Sequence, residues 1–375
     1  MKHIHPNHSS TYAHPDRLKS PIPFEAGKVD GWKTIPIDEC DEPLVPLGAF
    51  GPYREILTSS VYFGEDRSSP YKYDEIGGAL LSIFVRKSVA ERLITAQSLL
   101  PTGKYLVVFD AYRPIEVQSS LYETYLSDQT LVTPDWSEQE LSLETQKYVS
   151  IPSDDATKPS PHNTGGSVDL AIIAITAEQT EHVTEIEAYL KTLPYDSDDG
   201  YEEEMRKLEI LKHGTMLNFG CAFDDGTEMA ALAQFETPSL DLRDIQPRDN
   251  RRLLYNAMIQ SGFEPYEHEW WHYNAPESQM GAQTAGLRLA RFGAAVLSAT
   301  NLKHEAIRRQ HLKGVNIMTD IIRLYDWVVR SDGELKKWST PEEREIFMRV
   351  LGTQARLGSF RRTTIPRALR ISPNN

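Results

Sequence analysis

Two cysteines, Cys40 and Cys221, are all the chain has among its 375 residues. That is too few for a disulfide framework at this length, and it points to a reducing compartment, the cytoplasm. No run of about 18 apolar residues is present, which excludes a transmembrane helix. The opening Met1-Lys2-His3-Ile4-His5-Pro6 lacks the apolar stretch of a secretory leader, so no export address is expected. Positive charge is also scarce: 40 Lys+Arg stand against 54 Asp+Glu, a formal net charge of −14. Nucleic acid and anionic membrane are therefore excluded as main partners.

What is present is ordinary globular composition, 40% hydrophobic and 25% charged, with 23 Pro and 22 Gly. At about 150 residues per domain the length suggests two domains or one with an appendage. Charge is unevenly divided. Residues 281–375 hold 17 Lys+Arg against 8 Asp+Glu, nine positive charges in excess, so the preceding 280 residues carry −23. The pattern predicts a flexible arm over 1–24, a catalytic domain over 25–280 with a helical insertion at about 176–213, and a basic helical extension over 281–375. The stripe Ile317, Ile321, Leu324 and Val328 needs an apolar partner, and a homodimer through the C-terminal helices is expected from it.

Local patterns fill in the body. Leu81, Phe84, Val85, Val89, Leu93 and Ala96 recur at helical spacing and predict a helix over 78–100. Tyr105–Asp110 and Ser167–Ile173 read as core strands, 116–126 and 249–260 as helices, and the aromatic stretch 263–273 as extended. The acidic Tyr195-Asp-Ser-Asp-Asp-Gly200 lacks the ligand spacing of a calcium loop and reads as solvated.

Chemistry concentrates in a few places. His162 and Asp169 lie seven apart around Gly165-Gly166, and Glu269-Trp-Trp-His272 adds a carboxylate and a second imidazole. Two imidazoles with one carboxylate form a three-ligand zinc set that leaves a position open for water, as hydrolytic sites do. Bound zinc brings that water's pKa to about 7, and Glu269 is then available to move its proton. Residues three apart on a regular strand point to opposite faces, so a bulge or strand end is expected between Glu269 and His272.

Asp110-Ala-Tyr-Arg-Pro114, Ser160-x-His-x-x-Gly-x-x-x-Asp-Leu170 and Glu269-Trp-Trp-His-Tyr273, in this order, resemble the zinc D-alanyl-D-alanine dipeptidases. Asn218-Phe-Gly-x-x-Phe-Asp224, Asn250-Arg-Arg-Leu-Leu254 and Ser261-Gly-Phe263 extend the resemblance over roughly 25–275. It implies an α+β metallopeptidase with a central mixed or antiparallel sheet flanked by helices. It also implies one Zn²⁺ per chain on His162, Asp169 and His272, with Glu269 as general base and acid. Arg113 falls where the family stabilises the oxyanion, Asp224 where it receives the substrate ammonium, and Ser160 where it contacts substrate. The implied reaction is hydrolysis of D-Ala-D-Ala or a similar small D,D-dipeptide through a zinc-activated water. A D,D- or L,D-carboxypeptidase acting on cell-wall peptides, and a degenerate metal-containing peptide-binding protein, are the alternatives. The 45 or so residues between Leu170 and Asn218, and the tail after Gly281, depart from the family pattern.

Overall fold

The computed structural model describes residues 15–314 apart from 49–50, 65–68, 70, 72–75, 147–148, 150, 154, 191, 193–209 and 211–213. Its centre is two long strands, β4 (Lys104–Asp110) and β5 (Ser167–Ala174), almost wholly buried along their length. Strands covered on both faces need near-continuous apolar sequence, and Tyr105-Leu-Val-Val-Phe109 and Val168-Asp-Leu-Ala-Ile-Ile173 supply it. Around them the sheet runs β2 (Leu57–Thr58), β4, β5, β8 (Glu269–Asn274), β7 (Glu264–Tyr266), with β6 (Thr215–Met216) paired to the end of β5. The β2–β4 pair is parallel and the other pairs are antiparallel, so the sheet is mixed, as expected.

A separate ribbon pairs β1 (Leu44–Pro46) with β3 (Phe84–Arg86). It corrects the expected helix over 78–100: Phe84 and Val85 lie on a strand, and α1 begins only at Lys87 (Lys87–Leu99). Phe84 and Val85 are fully buried, and their helical spacing is satisfied equally by a strand leading into a helix. Further helices are α2 (Ile115–Val132), α3 (Glu138–Thr145), α4 (Ala177–Leu190), α5 (Ile245–Gln260), α6 (Gln279–Thr284) and α7 (Ala299–Gly314). Ser137 opens α3 through a capping box with Glu140.

Residues 18–22, expected in the arm, instead pack against the body. Leu18 and Ile22 are buried, and Asn256 of α5 donates to the Ser20 carbonyl at 2.9 Å. Residues 1–14 of that arm, the acidic loop at 195–200, residues 201–209 and 211–213 of the expected insertion, and the stripe from Ile317 to Val328 lie outside the described residues. Among the described residues no helix is long and apolar enough to cross a membrane.

The start of the basic extension folds back on its own chain through a polar face. Asn301, Glu305 and Arg308, at four- and three-residue steps along α7, are all buried. The Glu305 carboxylate accepts from the Leu81 and Ser82 amides at 2.9 and 2.8 Å, Arg308 donates to the Leu81 carbonyl, and Asn301 donates to the Leu44 carbonyl. Burial raises the Glu305 pKa, but the Leu81 amide, Arg309 and the Ser82 amide outweigh it and the net shift is downward. Glu305→Ala should therefore cost about 2–3 kcal/mol near neutrality, since two buried amides lose a charged acceptor. A depressed carboxylate pKa contributes stability above its unfolded value and loses that contribution as pH falls through the folded one. The gap between wild type and variant in urea midpoint should accordingly narrow on acidification, and a gap independent of pH would refute the assignment.

Candidate metal and peptidase centre

The three expected ligands come from a short turn and two adjacent strands. His162 sits on a single 3₁₀ turn, His162–Thr164, closed by Gly165 at φ 68°, a left-handed conformation that suits glycine. A Cβ there would also meet Leu44 at 2.4 Å. Asp169 on β5 and His272 on β8 are directly paired across the sheet. His162, Asp169 and His272 bring one donor atom each within 4.8 Å of one another, and all three are buried.

Their hydrogen bonds show what the cluster lacks. His162 Nδ1 lies 2.9 Å from the Ala111 carbonyl, which can only accept, so Nδ1 carries the proton and Nε2 a lone pair. His272 Nε2 lies 3.0 Å from Asn274 Oδ1, which also accepts from Ser167 Oγ at 2.7 Å, so His272 Nδ1 is likewise left with a lone pair. These two nitrogens face each other at 3.2 Å, with Asp169 oxygens at 2.9 Å from His272 Nδ1 and 3.4 Å from His162 Nε2. Four acceptor atoms converge with no donor between them. A cation resolves this arrangement, and nitrogen and carboxylate donors suit zinc. Orientation of each ligating ring by an acceptor on its far nitrogen is the usual support for a metal-binding histidine.

In the acid–base behaviour, protons on the imidazoles take the place that a cation would fill. Burial pushes the Asp169 carboxyl up, yet the two imidazoles hold it well below the usual carboxylate range. Burial lowers the His162 value, but Asp169 and Asp110 raise it more. Burial pushes Glu269 up to about 7, with Asp169 and Asp224 adding to the effect and His272 and Arg113 opposing it. A divalent cation beside Glu269 would draw that value down again.

Glu269 and Trp271, two apart on β8, both line the adjoining cleft, as strand alternation requires. The ladder between β7 and β8 shifts register between Pro265 and Tyr266, and Glu269 Oε2 comes within 3.8 Å of His272 Nδ1. The expected irregularity is there. A second shift, in the β4–β5 ladder between Val108 and Asp110, lies beside Asp169.

Arg113 is mostly buried and held as a fork. Nε and Nη2 donate to Asp110 Oδ2 at 3.0 and 2.6 Å, Nη1 to Gln118, and Nη2 also to the Tyr62 hydroxyl at 2.8 Å, with the guanidinium over the Tyr62 ring. One N–H on Nη1 has no partner among the described residues. Asp110 Oδ2 is also 3.3 Å from His162 Nδ1, so one carboxylate joins the arginine to the metal cluster.

Asp224 lines the cleft with Glu269 and accepts a hydrogen bond from Tyr71. It is exposed, at φ 61°, a strained conformation for a residue other than glycine. Ser160 does not line that cleft; its hydroxyl accepts from the Asn163 amide at 3.2 Å and so supports the His162 turn. Asp110, Tyr62, Tyr71 and Asn274 complete the site without having been singled out from sequence. Asp110 opens the quoted Asp-Ala-Tyr-Arg-Pro motif, and Asn274 shares a strand face with His272, so both had a signal. The two tyrosines lie in a stretch without periodicity and had none.

Comparison with known proteins agrees. Residues 205–287 match the family model described as D-ala-D-ala dipeptidase, a segment that contains Glu269 and His272. A D-alanyl-D-alanine dipeptidase of Synechocystis sp. is 25% identical over 260 residues, 64% of this chain and 84% of that protein. One from Escherichia coli is 23% identical over 177 residues, 47% of this chain and 58% of that protein. With the separated motifs and these matches in accord, the chain is similar to the D-alanyl-D-alanine dipeptidases, a peptidase family of hydrolases.

Proposed function

We propose that the protein is a zinc-dependent dipeptidase that hydrolyses D-Ala-D-Ala or a similar small D,D-dipeptide, with its catalytic unit over residues 25–280. The observation that carries this reading is the convergence of unprotonated donors from His162, Asp169 and His272 beside the free carboxylate of Glu269. Those three residues would hold the metal, which when bound acidifies a water and polarises the scissile carbonyl.

Glu269 accepts a proton on its carboxylate and returns it to the departing amine, the work of a general base and acid. Arg113 is fixed by Asp110, Gln118 and Tyr62 and offers its remaining Nη1–H to the developing oxyanion without reorganising. Asp224, steadied by Tyr71, receives the free ammonium of the substrate. Because Asp224 is exposed, its contact with an ammonium is partly screened, and selection for a free amino terminus is weaker than a buried carboxylate would give.

One assay tests the reading. Purified protein should contain about one zinc per chain, and a chelator should abolish turnover of D-Ala-D-Ala, with zinc restoring it. The N-acetylated dipeptide should be cleaved more slowly, by roughly tenfold for a partly screened charge-assisted contact. Full activity in a metal-free sample would refute the mechanism. Equal kcat/KM for the free and acetylated forms would favour a carboxypeptidase acting on cell-wall peptides.

A further inference from the structure

α7 lies beyond the stretch that resembles the dipeptidases, yet it packs behind the residues assigned above to the reaction. Asn301, Glu305 and Arg308 anchor it to the backbone of Leu44, Leu81 and Ser82. Arg309 reaches further. Its guanidinium donates through Nη2 to the Ala79 carbonyl at 2.6 Å and through Nε to Glu305, and it lies over the Phe63 ring, 5.1 Å from the centroid. A planar guanidinium suits this combination, because it can stack on a ring face while its edge donates in fixed directions.

Phe63 follows Tyr62 in a turn closed by the Gly64 amide, which donates to the Val61 carbonyl at 3.2 Å. The Val61 amide donates to the Phe109 carbonyl at 3.1 Å, one residue before Asp110, so the start of the turn is fixed against β4. The two aromatic neighbours serve opposite sides. Tyr62 accepts from Arg113 and lies beneath its guanidinium, whereas Phe63 meets Arg309. Tyr62 also contacts Tyr71, with ring centroids 5.0 Å apart, and Tyr71 donates to Asp224. Tyr62, Phe63, Tyr71, Ala79 and Arg309 line one cavity of about 380 Å³. Open space beside these rings means that close packing alone does not fix them there. Arg309 spans it, from Ala79 to Phe63.

We propose that Arg309 is a positioning residue for the reaction: by holding Phe63 it sets the turn that carries Tyr62, and so the aim of Arg113. The first helix of the basic extension is then a working part of the peptidase centre. This rests on the dipeptidase reading above, in which Arg113 meets the oxyanion.

The test measures kcat and KM for D-Ala-D-Ala with full-length, zinc-loaded protein, and uses urea midpoints and zinc content to show that each variant is folded and loaded. Arg309→Ala should lower kcat about tenfold, since a misplacement of about 1 Å caused far from the chemistry can cost on the order of 10²-fold. KM should change by less than about twofold, because the oxyanion contact is made in the transition state. Arg309→Lys keeps a cation over Phe63 and a donor for Ala79, and should recover most of kcat. Phe63→Leu removes the ring but leaves the bonds of α7 intact; it should reproduce the loss and guards against misfolding of Arg309→Ala. Tyr62→Phe should itself be slow, and adding Arg309→Ala to it should cost no more than about a further twofold, the non-additivity of residues that act through one another. Losses that multiply in the double variant would overturn the inference, as would normal kcat in folded Arg309→Ala or Phe63→Leu, and either result leaves the dipeptidase reading standing. No turnover by the wild type would refute that reading, and this inference with it.

Discussion

Glu269→Gln is expected to keep its zinc and lose on the order of 10²–10⁴ of kcat. The carboxamide preserves size and hydrogen bonding but cannot take up and release a proton. Metal retention is expected because three other residues, His162, Asp169 and His272, supply the converging donors, while Glu269 stands 3.8 Å from His272 on the cleft side. Metal analysis alongside single-turnover kinetics separates the two properties. If Glu269→Gln lost its zinc while His272→Ala retained it, ligand and proton carrier would have to be exchanged.

Arg113→Ala should lower kcat by about 10²–10³, the usual consequence of removing one oxyanion donor. It should also destabilise the fold. Asp110 is buried, and its Oδ2 accepts two of the arginine's N–H groups; removing one member of such a pair typically costs about 3–5 kcal/mol. Arg113→Lys separates the effects. It keeps the charge near Asp110 and should recover part of the stability, yet it cannot reproduce the fork that reaches Asp110, Gln118 and Tyr62 together. Both variants should therefore be slow while only the alanine is markedly unstable. Normal kcat in folded Arg113→Ala would reduce the arginine to a structural partner of Asp110.

The residues that the sequence revealed are those whose chemistry is tied to a local pattern. His162 and Asp169 flank a glycine pair, and Glu269 and His272 share one aromatic run, so spacing exposed them. The strands carrying them are equally legible, because β4 and β5 are buried on both faces and must be apolar throughout. What escaped depends on distant pairing. Phe84 and Val85 join a strand only because Leu44–Pro46 lies alongside, and no local signal distinguishes that from the first turn of a helix. Tyr71 reaches Asp224, 153 positions away, from a segment with no periodicity. The exposure of Asp224 is a property of how the loop sits on the cleft, which residue type does not encode.

Direct pairing of Asp169 with His272 makes the metal centre a reporter of strand register. Side chains on a strand alternate with a period of two, so a slip of β8 by one residue against β5 would place Trp271 opposite Asp169 and carry His272 to a neighbouring position on the opposite face. A chain that collapsed with that slip could retain its secondary structure and much of its compactness while holding no complete ligand set. The zinc-to-protein ratio of a refolded preparation would then count the molecules whose central strands found their native partners, a quantity that circular dichroism does not resolve.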